Sequence, residues 1–282
     1  MVGNEMIVDW IEAYFKVTER NEINEAIAID SSVIGLKLFN QPIYGVADAM
    51  DPIFLDYATK DEILYQKFLE PIKWLDTAKS VISIFLPYSD AVIAGNAKNL
   101  KKASVEWLHG RYEGQQLVLE LTKYIKMKIE SEGYECVAPL MDTRMLSQTG
   151  THTVREPMTF KDLSNRDYWS NWSERHVAFA SGLGTFGLSK NIITNKGVAG
   201  RFTSFITNMD LVATNREYTD VYEYCTKCGK CVENCPVNAI SFEKGKMHTP
   251  CSRYLDWVMS QNTPRYACGK CQVSVPCQSS RP

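Results

Sequence analysis

One stretch of the chain, Cys225-Thr-Lys-Cys228-Gly-Lys-Cys231-Val-Glu-Asn-Cys235-Pro236, constrains the fold more than any other. Its C-x2-C-x2-C-x3-C-P spacing is the bacterial signature of a 4Fe-4S cluster, in which three thiolates wrap one cube and the fourth ligates a second cube. Four more ligands are then needed, and Cys251, Cys268, Cys271 and Cys277 complete a set of eight. We expect a helix to start at Pro236 and to carry Cys235 away from the first cube.

The exchange of the terminal cysteine between the two motifs predicts how these ligands divide. The first cluster is assigned to Cys225, Cys228, Cys231 and Cys277. The second cluster is assigned to Cys235, Cys251, Cys268 and Cys271. Cys277 is irregular, because it follows Pro276 and lies farther from Cys271 than the motif spacing implies. A free Cys277, or a 3Fe-4S cube, is therefore the alternative.

Disulfides and zinc are the other interpretations of nine cysteines. A chain of 282 residues that is 45% hydrophobic can bury a core without disulfides, and its first ten residues have no signal-peptide pattern. Zinc needs only two C-x2-C pairs, so Cys231 and the Cys235-Pro236 step are surplus to it. Cys136, the ninth cysteine, has no motif around it and is expected to be a small buried apolar residue.

Charge and hydropathy exclude some partners. The net charge is −2 and the sequence pI is about 6.1, which disfavours a nucleic-acid partner such as tRNA. No apolar run reaches the length of a membrane span, and no twin-Arg pair precedes Trp10, so we expect a cytoplasmic protein with no membrane contact. The proposed clusters also suggest an oxygen-poor, anaerobic cell.

Hydrophobic periodicity predicts an α/β (α+β) core over residues 1–215 and a cluster-bearing module over residues 216–282. Helices are predicted for Met6 to Val17, from Pro52 towards Glu70 with Asp61 and Glu62 on the polar face, for Gln115 to Glu130 and for Ser173 to Ser181. Strands are predicted for Ile43 to Ala47, Val81 to Leu86, Tyr134 to Ala138, Asn191 to Thr194 and Arg201 to Thr207. The segment from Met141 to Asn171 is expected to be a long excursion, either a lid or a surface insertion.

A glycine-rich segment, Gly182-x-Gly184-x-x-Gly187, matches the dinucleotide-binding pattern literally. That pattern must follow a strand and start a helix, so that the helix N-terminus meets the pyrophosphate. Here a predicted helix comes before the glycines and a predicted strand follows them. We therefore expect either a close backbone approach to another large ligand or a plain helix C-cap and turn.

Several short motifs follow one another in a recognisable order. They are Ala78-Lys79-Ser80-Val81-Ile82, Gly110-Arg111-Tyr112, Gly133-Tyr134 with Asp142, Gly182-Leu183-Gly184, Lys190-Asn191, and the paired cysteine motif with Arg253-Tyr254-Leu255 after Cys251. In this order the chain resembles the epoxyqueuosine reductase and reductive dehalogenase superfamily over about residues 42 to 277. The cysteine motif by itself indicates only a protein with two clusters. The Gly182-Leu183-Gly184 and Lys190-Asn191 segments are what narrow the resemblance to this superfamily.

The resemblance implies a nitroreductase-like core sandwich, followed by a bacterial ferredoxin-like two-cluster module, with a base-off cobalamin between them. The corrinoid-binding residues that it implies are Gly182, Leu183, Gly184, Thr185, Gly187, Lys190, Asn191, Thr203 and Ser204. It further implies Asp142 as proton donor and Tyr112 as a second polar group on the substrate side. The other interpretations are a turn-capping Asp142 and a Tyr112 that only packs.

The function implied by the resemblance is a corrinoid-dependent oxidoreductase that passes electrons through two 4Fe-4S clusters to cobalamin and on to a substrate. The alternative is a corrinoid-binding or corrinoid-reducing protein that serves a partner protein. A flavin-dependent or corrin-free oxidoreductase on the same scaffold is a third, weaker alternative. The expected partners are a ferredoxin or flavodoxin as electron donor and, in the alternative, a corrinoid protein. Because the sequence has no helical-repeat domain after Cys277, we expect a short form that does not act on tRNA.

Overall fold

The computed structural model describes residues 2–60, 67–147 and 169–282. Its helices are α1 (Val2–Val17), α2 (Pro52–Thr59), α3 (Pro71–Trp74), α4 (Asp90–Ala97), α5 (Val105–Ser131), α6 (Glu174–Ala180), α7 (Lys230–Glu233) and α8 (His248–Asn262). Its strands are β1 (Ile43–Asp48), β2 (Ser80–Pro87), β3 (Cys136–Val137), β4 (Gly184–Phe186), β5 (Ile192–Thr194), β6 (Gly200–Thr207), β7 (Ile240–Ser241) and β8 (Gly245–Lys246).

A four-stranded antiparallel sheet with the order β1-β2-β6-β3 forms the centre of the core. Strand β2 is buried along its whole length, which fits its run of β-branched and aromatic residues. Because side chains alternate along a strand, Ile82 and Ile84 face one side of the sheet and Val81 and Phe85 face the other. Both faces are therefore covered by other elements.

Helices α1 and α5 cover the first face of the sheet. Ser104 caps the N-terminus of helix α5, because its hydroxyl accepts a hydrogen bond from the Trp107 backbone N–H at 3.2 Å. Its residues Leu117, Leu121 and Ile125 are fully buried against the sheet at helical spacing. This is the largest apolar cluster of the described residues, and it contains the buried side of α1 as well.

The second face is covered by α2 and α6, through two separate apolar clusters. One contains Val81 and Ile206 with Trp172 of the segment before α6, and the other contains Phe85 with Phe179 of α6. Between these two clusters the sheet carries a pair of opposed serines, Ser83 and Ser204. The face towards α6 therefore has a polar strip between two apolar regions.

The cysteine-rich region packs on the core directly. Val258 of α8, together with Ala267 and Val273, belongs to the same apolar cluster as Trp107 of α5. The Tyr254 hydroxyl donates a hydrogen bond to the Lys101 carbonyl oxygen at 2.9 Å. The two expected parts of the chain thus share one core, and the boundary near residue 215 stays a prediction.

The predicted α/β fold class is confirmed, as are the helices at α1 and α6 and the strands at β1, β2 and β6. Helix α5 starts at Val105 rather than at Gln115, and the strand expected from Tyr134 to Ala138 shrinks to β3. The helix expected to start at Pro236 is wrong, because α7 precedes Cys235 and a turn follows it. No helix of the described ranges is long and apolar enough to cross a membrane. Asp61, Glu62 and residues 148–168 of the predicted excursion lie outside the described residues.

Candidate functional site

Four cysteines, Cys225, Cys228, Cys231 and Cys277, line one cavity close to the protein surface. Three of them pack against a small apolar cluster formed by Ile193, Val198 and Val275. Cys228 is the exposed member, whereas the others are half-buried. We call these four residues the first thiolate set; they are the ones that the sequence assigns to one cluster.

Cys277 is tied to the core by backbone hydrogen bonds. The Val198 N–H donates to the Cys277 carbonyl oxygen at 2.9 Å, and the Ala199 N–H donates to the Gln278 carbonyl oxygen at 3.2 Å. The preceding Gly197 has a φ of +74°, and a Cβ atom there would overlap the backbone of Gln278. The turn between β5 and β6 therefore fixes where the last cysteine lies.

Three further cysteines, Cys235, Cys251 and Cys268, lie within electrostatic reach of Cys271, and we call these four residues the second thiolate set. Burial, with smaller contributions from Cys271 and Cys251, raises the pKa of Cys268 to about 12. Burial likewise raises the pKa of Cys271, with smaller contributions from Cys251 and Cys235. Cys251 lies on α8, and Cys235 accepts a hydrogen bond from the Ala239 N–H at 3.1 Å.

The two thiolate sets are neighbours. Burial raises the pKa of Cys231 to about 11, and the next cause is Cys271 of the second set, followed by Cys225 and Cys228 of its own set. A charge on one set is therefore felt by the other. This closeness is what electron exchange between two bound groups requires.

The donor chemistry of both sets fits an iron–sulfur cluster. Buried thiols with raised pKa values stay protonated at neutral pH unless a metal charge draws the proton off, and the thiolate is the form that binds iron. Among the described residues, no three His, Cys, Asp or Glu side chains are arranged to hold a single metal ion. A 4Fe-4S cube lies between four thiolates bound to four different irons.

A buried lysine anchors the second thiolate set to the core. The Lys270 side chain is fully buried, and its Nζ donates to the Asn96 carbonyl oxygen at 2.8 Å and to Asn96 Oδ1. Asn96 in turn donates from Nδ2 to the Cys268 carbonyl oxygen at 2.9 Å. Burial lowers the pKa of Lys270 to about 8. Helix α4 thereby holds the loop between two cysteines of this set.

The glycine segment begins as a helix C-cap and continues as a β-hairpin. The Leu183 N–H donates to the Ala178 carbonyl oxygen at 3.0 Å, which closes α6, and β4 and β5 then pair antiparallel. A helix thus precedes the glycines and a strand follows, as the sequence predicts. Where the sequence predicts a turn after the helix C-cap, Gly184 instead lies in strand β4, because its backbone pairs with Thr194.

The predicted corrinoid-binding residues of this segment face two different places. Gly182 and Leu183 border an outer groove of about 470 Å³ next to α1. The far end of the hairpin faces the cysteines: a Cβ on Gly187 would lie 3.8 Å from Cys225 Sγ, and Asn191 Nδ2 lies 3.7 Å from Cys271 Sγ. Lys190 is close enough to His176 to lower the pKa of its imidazole.

The three predicted hydroxyl residues also diverge. Thr203 points to the α5 side of the sheet, where its Oγ1 lies 2.8 Å from Thr122 Oγ1. Ser204 points to the opposite side and accepts a hydrogen bond from Trp172 Nε1 at 2.9 Å. Thr185 Oγ1 accepts a hydrogen bond from the Tyr224 N–H at 2.9 Å. Of these three, Ser204 is the one on the polar strip.

Five cationic side chains act electrostatically on one another or on shared neighbours near the second thiolate set, and we call them the basic recess: Arg111, Arg175, Arg201, Lys190 and Lys246. Burial lowers the pKa of Arg175, whose charge Cys271 and Cys251 favour. Burial and then Arg111 lower the pKa of Arg201 to about 10. Arg175 and Arg201 are half-buried by accessible surface, yet burial is the main cause of their lowered pKa values. This combination is expected for side chains that line a deep depression.

Glu174 at the start of α6 is a candidate residue that the sequence does not reveal. Burial raises the pKa of its carboxyl group to about 7, although a hydrogen bond with Ser204 and the charge of Arg201 both act to lower it. Its Oε2 is buried without a hydrogen-bond partner among the described residues. In sequence it looks like an ordinary first-turn acid that follows Ser173. Its raised pKa comes from burial against the sheet, which the local sequence does not show.

The two residues expected to be catalytic have different partners in the structure. Asp142 pairs with Arg144 at 2.7 Å and also accepts a hydrogen bond from the Arg144 backbone N–H at 2.8 Å. The hydrogen bonds from Arg144 hold the pKa of Asp142 below its usual range, so the carboxylate is charged at neutral pH. Tyr112 is half-buried, with the Arg265 guanidinium 5.5 Å from the centre of its ring. The catalytic roles of both residues stay predictions.

Cys136 lies where the sequence predicts an apolar residue. It is buried in β3, within the largest apolar cluster, and burial raises the pKa of its thiol to about 12. Neither thiolate set includes it.

Comparisons with known proteins agree with this architecture. The family of 4Fe-4S binding domains matches residues 218–241. Tetrachloroethene reductive dehalogenases of Desulfitobacterium hafniense and Dehalobacter restrictus are 36% identical to this chain over 69 residues, which is 24% of this chain and 12% of theirs.

Two solved structures share the fold at low sequence identity. Selenomethionine-labelled epoxyqueuosine reductase aligns with 85% of this chain and 62% of its own at a TM-score of 0.50 and 16% identity. A catabolic reductive dehalogenase in complex with 3-bromo-4-hydroxybenzoic acid aligns with 85% of this chain and 30% of its own at a TM-score of 0.50 and 12% identity.

Fold and site together define an iron–sulfur protein with a reductase-like fold and a 4Fe-4S binding domain near its C-terminus. More particularly, the fold is the one that epoxyqueuosine reductase and reductive dehalogenases share, as the sequence motifs predict. This chain spans less than two thirds of the length of each of these proteins.

Proposed function

We propose that this chain is a corrinoid-dependent reductase with two 4Fe-4S clusters, in which electrons move inward from the protein surface to a small substrate in the basic recess. The observation that carries the proposal is the position of Arg175 beside Cys251 and Cys271 of the second thiolate set. Cys271 of that set is an electrostatic neighbour of Arg175 in the recess and also of Cys231 in the first thiolate set. The proposed order of electron flow follows from this arrangement.

Electrons are proposed to enter at the first thiolate set, whose Cys228 is exposed. The surface there carries exposed aromatic side chains, and a Cβ on Gly229 would lie 2.8 Å from the ring of Phe242. A small redox protein, such as a ferredoxin or flavodoxin, fits this surface as the donor. The closeness of Cys231 to Cys271 supports onward transfer between the sets.

Unpaired polar atoms support a ligand in the recess. Within the described residues, the buried Oγ of Ser83, Oε2 of Glu174 and Nε of Arg201 have no hydrogen-bond partner. Buried polar groups are normally satisfied, so these atoms are consistent with a polar ligand there. Lys190, Asn191 and Ser204 are the predicted corrinoid-binding residues that lie on this side. A corrinoid supplies low-potential, cobalt-centred reduction when it is bound.

Protons must accompany electrons that are delivered to carbon, and Glu174 is the better placed donor. A carboxyl group with a pKa of about 7 is about half protonated at neutral pH and can release that proton. Ser204 and Trp172 form a hydrogen-bonded chain behind it and fix its orientation. Asp142 is paired with Arg144, so it holds its proton only at lower pH.

Anaerobic reconstitution with iron, sulfide and cobalamin tests the proposal. After desalting, we expect about eight irons and about one cobalt per chain, because two 4Fe-4S cubes and one corrinoid are proposed. Loss of the cobalamin absorption bands on addition of a low-potential reductant, beyond the bleaching that the cluster-only protein shows, would show that electrons reach the cobalt. Full iron content without retained cobalt would disprove the corrinoid and leave the 4Fe-4S binding domain intact.

A further inference from the structure

Two arginines of the basic recess are held in fixed positions by hydrogen bonds from their side chains. An Nη of Arg201 donates to Gln115 Oε1, whereas its buried Nε has no partner among the described residues. Arg111 donates to the Tyr266 hydroxyl at 2.9 Å and lies 4.6 Å from the centre of that ring. Both guanidinium groups are therefore oriented before any ligand arrives.

The charge of Arg201 is not balanced in the way that the charge of Arg175 is. Arg175 lies beside two cysteines of the second thiolate set, which are negative when they bind iron. The groups that act on Arg201, after burial, are Arg111, Tyr88, Tyr266 and Arg175, so two of the four are cations. The carboxyl group that responds to Arg201 is Glu174, which is only partly charged near neutral pH.

Burial of like charges side by side is costly, and proteins normally place an anion between them. A planar guanidinium is the donor that best matches two oxygens of a carboxylate or phosphate. We propose that Arg201 and Arg111 bind the anionic group, a carboxylate or a phosphate, of a ligand held in the basic recess. The identification of that ligand as the substrate rests on the proposed reductase function. The other source of the same chemistry is the phosphate of a bound cobalamin.

Calorimetric titration of the iron-reconstituted protein with inorganic phosphate and with benzoate, at low ionic strength and without oxygen, tests the anion site. Loss of a charged hydrogen-bonding partner should weaken binding about 10- to 100-fold in Arg201→Gln and in Arg111→Gln. Arg216→Gln is the matched control. Arg216 is not part of the recess, and its guanidinium already pairs with the Asp51 carboxylate at 2.8 Å. Equal affinity in all four proteins would overturn the proposal, as would no binding by the wild type.

A second variant separates the effect of the planar guanidinium donors from the effect of the positive charge. It also keeps the test valid if Arg201→Gln does not fold. Arg201→Lys keeps the charge but loses the planar pair of donors, so its affinity should fall between those of the wild type and Arg201→Gln. Iron content and melting temperature identify any variant that fails to fold. If Arg201→Gln does not fold, a wild-type-like affinity of both Arg201→Lys and Arg111→Gln overturns the proposal.

Binding of cobalamin and of cobinamide, which lacks the phosphate-bearing nucleotide loop, identifies the source of the anion. If the anionic group belongs to the substrate, Arg201→Gln should bind both corrinoids normally, and the cobalamin-loaded wild type should still bind benzoate. If the anionic group is the phosphate of cobalamin, Arg201→Gln should lose affinity for cobalamin but not for cobinamide. Loading the wild type with cobalamin should then displace inorganic phosphate. Either result supports an anion site. Arginine-dependent phosphate binding without any corrinoid binding would refute the proposed function and leave this site standing.

Discussion

Glu174 shows how one residue takes its chemistry from its surroundings. Its carboxyl group sits at the start of a helix, where a negative charge is normally favoured, yet burial raises its pKa from 4.5 to about 7. The folded protein therefore binds this proton more tightly than the unfolded chain does. Between these two pKa values the folded state holds the proton and the unfolded state has lost it, so stability falls as the pH rises.

Replacement of Glu174 by Gln should remove this pH dependence. A shift from 4.5 to about 7 corresponds to up to about 3 kcal/mol of stability that is present below pH 4.5 and lost as the pH rises through 7. Melting temperatures at pH 6 and pH 8 should therefore differ less in Glu174→Gln than in the wild type. Glu130→Gln, on the exposed side of α5, is the control and should keep the wild-type difference. An identical difference in all three proteins would refute the raised pKa.

Two lysines show where the sequence stops being informative. Lys230 and Lys270 both occupy the third position of Cys-Gly-Lys-Cys, so their local sequences are the same. Lys230 is half exposed and pairs with Glu233 at 2.7 Å, whereas Lys270 is fully buried on Asn96. The difference comes from α4, more than 170 residues earlier in the chain. Local patterns do not contain such a contact.

The secondary-structure elements whose own hydrophobic spacing determines them are predictable from the sequence. Strand β2 and the stripe of α5 follow from hydrophobic spacing alone, and the signature from Cys225 to Pro236 indicates a 4Fe-4S domain, which the family comparison confirms. Strand β5 is predicted by the sequence and confirmed, whereas its partner β4 is not predicted, because glycines in strands are uncommon and this pairing depends on a close backbone approach. Glu174 and the basic recess were missed because they arise where distant elements meet.

The turn at Gly197 offers a test at the level of an element. Ala at this position would keep an unfavourable positive φ and would also overlap the Gln278 backbone that carries Cys277. Gly197→Ala should therefore lose about half of the reconstituted iron in addition to stability. Iron analysis after anaerobic reconstitution, together with urea unfolding, measures both effects.

Gly133 provides the matched control for that substitution. Its φ is +86°, and nothing lies within 4 Å of an added Cβ atom. Gly133→Ala should cost only the backbone strain, roughly 1–2 kcal/mol, and should keep the full iron content. Equal iron content in both variants would show that the turn does not position Cys277.

Across the whole molecule, the cysteine sets join the core to the C-terminal region. The first set takes three ligands from the region around α7 and the fourth from residue 277, whose carbonyl oxygen is bonded to the core. The second set takes Cys251 from α8 itself and its other cysteines from both sides of that helix, which packs on α5. We expect cluster loss to loosen this packing, because metal binding contributes directly to folding.

Cys277→Ala should reduce the iron content from about eight to about four per chain, because one proposed cube loses a ligand while the other keeps all four. The remaining cluster should still give a reduced 4Fe-4S signal by electron paramagnetic resonance. Cys136→Ala is the control, since Cys136 is buried in the core and should not affect iron. Full iron with an unchanged spectrum in Cys277→Ala would mean that Cys277 is free.

The ligand positions also have a consequence for how the protein is made. On the proposed assignment, residues 235 to 271 of the second set are nested between residues 225 and 277 of the first. During synthesis, the inner set is therefore complete before the outer one. A nascent chain halted between residues 271 and 277 would have all the ligands of the inner cluster and only three of the outer. Cofactor delivery can thus proceed from the buried site towards the surface site, opposite to the proposed path of the electrons.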